Sequence, residues 1–97
     1  MTDRQITKCY KIAQHYGKGK QKIQAAQELN ELQALLLRRP DQIRNNDEYL
    51  DNMIDEMADV TIMIEQLRQL FDIENRELHD RINYKLNRQI DRIREEG

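Results

Sequence analysis

The feature that most constrains this 97-residue chain is how little interrupts it: glycine occurs only at positions 17, 19 and 97, and proline only at 40. Stretches of twenty or more residues without a strong breaker read as helix. Hydrophobic and charged residues are nearly balanced, at 38% and 35%. A monomer of this size therefore has a thin core and must bury most of its apolar residues to offset the entropy of ordering the chain. Self-association follows as an expectation.

The spacing of apolar residues predicts four helices. The first starts after Thr2 or Asp3, either of which can cap it, carries Ile6, Tyr10 and Ala13, and stops at Gly17. GKGK (17–20) reads as a mobile turn. A second helix runs from Gln21 to Arg39, where an Arg pair suits a helix C-terminus and Pro40 ends it. PDQIRNND is a connection with Asn46 or Asp47 as the next cap, and a third helix covers about Glu48 to Phe71. After a turn at Asp72–Asn75, Leu78, Ile82, Leu86, Ile90 and Ile93 draw one stripe on a last helix. The expected fold is all-α, a single domain over 1–97: an antiparallel bundle of four helices, or three long ones plus a short arm, in an oligomer.

A net charge of −2 and a pI near 5.7 argue against a binder of nucleic-acid backbones. No run of about 7 to 15 apolar residues marks a signal peptide, and none approaches the ~20 of a membrane span, so a cytoplasmic protein without membrane contact is expected. Cys9 stands alone, without the partner that a disulfide or a CxxC metal site requires, and reads as a small residue on a helix face.

Four acids break the amphipathic pattern. On a helical wheel Glu28 falls on the apolar stripe of its helix and Glu31 at the edge; on the next, Glu56 sits amid Tyr49, Met53, Val60, Met63 and Leu67, with Asp59 at the edge. A carboxylate facing a core without a partner costs several kcal/mol, roughly. Two such pairs, each at i and i+3, can share a hard divalent cation such as Mg²⁺, with Mn²⁺ able to substitute. The ordinary alternative is a set of surface acids neutralised by Lys and Arg. A di-iron bundle would need Glu-x-x-His on two helices, and neither His15 nor His79 has a Glu three residues before it.

QKIQAAQELNELQALLL followed by DEYLDNMIDEMADVTIMIEQL resembles the MazG-like branch of the all-α nucleoside triphosphate pyrophosphohydrolases, marked by ExxE and, about two dozen residues later, ExxD. Glu28 and Glu31 stand at the first motif and Glu56 and Asp59 at the second. The resemblance runs from about Tyr16 to Ile93. It implies Mg²⁺ held by the four carboxylates, cleavage of (d)NTPs to (d)NMP and pyrophosphate, and a homodimer or homotetramer. Gln21, seven residues before the first Glu, and Lys85 on the last helix also match family positions, which makes both candidates for substrate contact, with Arg88 beside Lys85 on the same helix edge; Lys85 is a candidate for catalysis too, as is Glu31, which the edge of its stripe leaves nearer to solvent than Glu28. Where many relatives carry a Lys and a second acid before the first motif, this chain has Gln24 and Gln27.

Arg81, Lys85, Arg88 and Arg92 form a cationic edge beside the last helix's stripe, suited to a triphosphate or equally to solvent. Lys18, Lys20 and Lys22 could close over a phosphate or act as a solubilising linker. Tyr10, His15 and Tyr16 could stack on a base, though packing is the commoner role. The rival functional class is a non-catalytic helical module that binds nucleotides or other proteins.

Overall fold

A computed structural model describes all residues 1–97. It contains three helices and no strand: α1 (Asp3–Leu36), α2 (Asn46–Leu70) and α3 (Asn75–Glu96), with one 3₁₀ turn at Pro40–Gln42. Thr2 caps α1 through a reciprocal box, its hydroxyl accepting from the Gln5 amide while the Gln5 side chain accepts from the Thr2 amide. Asn45, one residue earlier than the expected cap, closes the start of α2 by accepting from the Glu48 amide at 3.1 Å.

The helix count is three rather than four. Gly17 adopts φ 82, ψ 172, a conformation open essentially to glycine alone, and helix resumes at once on its far side. A single kinked residue thus replaces the expected turn, and Lys18, Gly19 and Lys20 are helical. The helix also ends at Leu36 instead of Arg39. A residue before proline is driven out of the α region, and Arg39 is extended at φ −77, ψ 157.

α1 and α2 pack side by side, and they do so antiparallel: Gln69 reaches the Ile6 carbonyl, Gln21 meets Gln66, and the Tyr49 hydroxyl donates to the Leu35 carbonyl at 3.0 Å. The kink lets both parts of α1 follow α2, so Cys9 and Ala13 are buried before it and Ala25 and Leu35 after it. From α2, Met63 and Leu70 complete the small core. Of the methionines of α2, Met63 is buried and Met53 half-buried, whereas Met57 is exposed. Within the core the Gln21 amide donates to Gln66 Oε1 at 2.8 Å, and both residues are almost wholly shielded from solvent.

α3 leaves this hairpin and buries none of its residues. Its exit is held by Arg68, which pairs with Glu65 at 2.7 Å and donates to the Ile73 carbonyl at 2.8 Å, and by Asp72, which takes the left-handed turn at φ 54. The expected four-helix packing is therefore not formed within one chain. The radius of gyration, 16.6 Å, exceeds the ~13 Å of a compact domain of about 100 residues. No helix is long and apolar enough to cross a membrane.

Two substitutions test this architecture. No atom lies within 4 Å of a Cβ built on Gly17, so the penalty of Gly17→Ala is purely one of backbone conformation, roughly 1–3 kcal/mol. Alkylation of buried Cys9 should speed up as the N-terminal part of α1 loosens; an unchanged labelling rate would mean the kink is not needed. Gln66→Leu should cost about 1–3 kcal/mol in urea unfolding by stranding the Gln21 amide, and the double replacement Gln21→Leu/Gln66→Leu should recover most of that loss.

Candidate metal centre

The Gln21–Gln66 bond sets the axial register of the two long helices. Seven residues on from Gln21 along α1 stands Glu28, and seven back from Gln66 along α2 stands Asp59; three more steps on each helix reach Glu31 and Glu56. The two acidic motifs thus face each other as the crosswise pairs Glu28–Asp59 and Glu31–Glu56. Carboxylate oxygens of Glu28, Glu31 and Glu56 converge within 4.8 Å of one another. Asp59 lies outside that trio, and the neighbouring charge that it feels is that of Glu28. The burial pattern matches the wheel: Glu28 and Glu56 are half-buried, while Glu31 and Asp59 are exposed.

No cation neutralises the group. The four ion pairs of the chain join Arg39 to Asp41, Arg68 to Glu65, Arg76 to Asp80 and Arg94 to Asp91. Gln24 donates to Glu28 Oε1 at 2.8 Å, but Glu28 Oε2 and Glu56 Oε2 are buried without any hydrogen-bond partner. The electrostatic consequence is direct. Desolvation, followed by the charges of Glu31, Asp59 and Glu28, raises the Glu56 pKa above the ordinary carboxylate value; desolvation and then Glu28 do the same for Asp59.

A cavity of about 310 Å³ opens beside the trio, lined by Glu31, Ala34, Leu35, Arg38, Asn52, Asp55 and Glu56. Arg38 is a functional candidate that the sequence reading passed over as a helix-end charge. It stands two residues beyond the end of α1, where it lines the cavity together with Glu31 and Glu56. Gln66 was also missed, although a glutamine in the middle of an apolar stripe is itself a signal of a buried hydrogen bond.

The remaining candidates are placed differently. Gln21 is two helical turns from Glu28, its amide nitrogen already committed to Gln66, and it lines a separate cavity of about 550 Å³ with Tyr16, Gln24 and Met63. Lys85 and Arg88 are exposed on α3, and neither shares a hydrogen bond or ion pair with the acids; the Arg88 guanidinium lies 5.9 Å from the centre of the Tyr84 ring. Lys18 sits 5.5 Å over Phe71, which ties it to the end of α2. Tyr10 and Tyr16 are exposed, the latter edge-on to His15.

The cluster suits a hard cation. All its donors are carboxylate oxygens, two of them have no other partner, and a bound divalent ion would relieve the repulsion that raises Glu56 and Asp59. No family model matches the chain, and no curated protein or solved structure matches it either.

The raised pKa of Glu56 has a definite sign in stability. A carboxyl whose folded pKa exceeds its unfolded value keeps more protons in the native state, so stability falls as pH rises from the unfolded to the folded pKa and stays low above both. Glu56→Gln removes this penalty while preserving shape. The variant's metal-free melting temperature at neutral pH should equal or exceed that of the wild type, with a flatter pH profile between the ordinary glutamate range and neutrality. A lower melting temperature would instead identify Glu56 as a partner in a structural ion pair.

Proposed function

We propose that this chain is a magnesium-dependent hydrolase that cleaves (d)NTPs to (d)NMP and pyrophosphate and works as a homodimer or homotetramer. The observation that carries the reading is the pair of buried, unpartnered oxygens, Glu28 Oε2 and Glu56 Oε2, in a carboxylate cluster that no Lys or Arg neutralises. Retaining such a group at the expense of stability is intelligible if binding requires it. The resemblance of ExxE and ExxD to the pyrophosphohydrolase pattern is what points to the substrate class.

In this reading Glu28 and Glu56 hold the ion through their inward oxygens, with Glu31 and Asp59 completing the set. Bound Mg²⁺ would neutralise phosphate charge and acidify water. Glu31, the exposed member of the trio, orients the attacking water from the solvent side. Gln24 fixes the rotamer of Glu28 by its 2.8 Å hydrogen bond. Arg38 stands at the rim of the adjoining cavity as a partner for phosphate oxygens, and Lys85 and Arg88 are further cations that α3 carries. The 20 exposed large apolar residues favour a second element in the reading, namely a chain that acts as an assembled module.

A panel of ribo- and deoxyribonucleoside triphosphates incubated with Mg²⁺ should yield NMP and pyrophosphate for at least one nucleotide. Glu56→Gln should lower kcat/KM by at least ~100-fold, and Lys85→Ala should weaken turnover with little change in melting temperature. Release of NDP and orthophosphate, or no turnover with any nucleotide in Mg²⁺ or Mn²⁺, would replace the hydrolase reading with that of a binding module.

A further inference from the structure

The accessible surface is 8243 Å², whereas a compact monomer of 11.7 kDa exposes about 5,900 Å². The excess is roughly 2,300 Å² per chain, or about 4,600 Å² for two chains, which falls within the about 2,000–5,000 Å² in total that permanent homodimers bury. Two of the helix faces that carry exposed apolar residues have matching spacing. On α3, Ile82, Leu86, Ile90 and Ile93 are about half exposed or more, and they continue the stripe begun by Leu78. On α2, a second row lies off the α1-facing side: Leu50, Ile54, Met57, Thr61 and Ile64, spaced 4-3-4-3 and all exposed. That spacing is the seam pattern of two helices packing along their length. At 1.5 Å per residue α2 and α3 are about 37 and 33 Å long, so one can cover the other.

The charges beside the two rows are opposite. α2 carries seven carboxylates against Arg68, and residues 81–94 of α3 carry five cations against Asp91. Viewed from the N-terminus, Asp47, Asp51 and Asp55 lie roughly 100° clockwise of the α2 row, while Arg81, Lys85, Arg88 and Arg92 lie roughly 110° counterclockwise of the α3 row. In a parallel pair of helices these two edges fall on the same side. In an antiparallel pair they fall on opposite sides.

The connection between α2 and α3 is only residues 71–74, so folding back within one chain forces the antiparallel arrangement and separates the complementary edges. A parallel arrangement is available only from another molecule. We infer that α3 of one copy seats its Leu78–Ile93 stripe on the Leu50–Ile64 row of α2 in a second copy, running parallel to it, with the Arg81–Arg92 edge against the Asp47–Asp55 edge. This specifies the surface used in the self-association proposed above and holds whether or not the chain hydrolyses nucleotides.

The test is an exchange of charge between two versions of the full chain. One carries Asp47→Lys and Asp51→Lys on α2; the other carries Arg81→Glu and Arg88→Glu on α3. Wild-type protein should sediment as an oligomer at micromolar concentration. Each variant alone sets like charges against each other and should self-associate at least ~10-fold more weakly, and an equimolar mixture should recover wild-type mass as a mixed oligomer. Recovery of mass and helicity on mixing supports the exchange even if each variant is poorly helical alone. A monomeric wild type, or a mixture no more associated than its components, overturns it; the first result would leave the nucleotide assay free to succeed independently, and absence of turnover in a wild-type protein that forms intact oligomers would indict only the hydrolase reading.

Discussion

The hydrogen bond between Gln21 and Gln66 is the constraint on which the rest of the hairpin depends. Apolar side chains along two helices tolerate sliding, because one Leu or Met contact can replace another at small cost. Two buried amides do not, since a shift of one residue on either helix would leave a donor and an acceptor unpaired in the core. The bond therefore works as a pin. Ten residues further along, about 15 Å of helix, the same register brings Glu31 opposite Glu56.

Seen from that pin, the acids are a strain that the fold supports. The core is small, with only six apolar residues buried, yet it holds two half-buried glutamates whose inward oxygens find no donor. Raised pKa values at Glu56 and Asp59 express the same conflict electrostatically. The opposite case lies a few residues away: Glu65, hydrogen-bonded first of all by Arg68, has its pKa lowered. Along one helix, then, the acid with a cationic partner is stabilised in its charged form, and the half-buried acid without one is not.

Much of this was legible in the sequence. The wheel positions of Glu28, Glu31, Glu56 and Asp59 correctly ordered their burial, because helical periodicity fixes the direction of a side chain once the apolar stripe is known. By the same periodicity Leu50, Ile54 and Ile62 fall outside that stripe, and all three are exposed. What the sequence concealed was tertiary. Gly17 reads as a stop, but a glycine that takes a single left-handed step can redirect a helix without ending it, and which of the two happens depends on whether the residues before it find a surface to pack on. Here they do, through Cys9, Ala13 and the Gln69–Ile6 hydrogen bond. The strong stripe of α3 promised a fourth packed element, but periodicity states that a face will be covered and is silent on which molecule covers it.

The Arg68 clasp bears on how tightly such a face can be covered. By bonding Glu65 and the Ile73 carbonyl together, and with Asp72 turned left-handed, it fixes the direction in which α3 leaves the hairpin. A helix hinged on a floppy tether would have to give up a wide range of orientations at every encounter. One held at a set angle has surrendered that freedom already, during folding, so less of its binding energy is consumed in being immobilised. The partly buried ion pair at the end of α2 thus does for assembly what a rigid hinge pin does for a door leaf: it contributes no surface of its own to the joint, yet it determines how readily the joint closes.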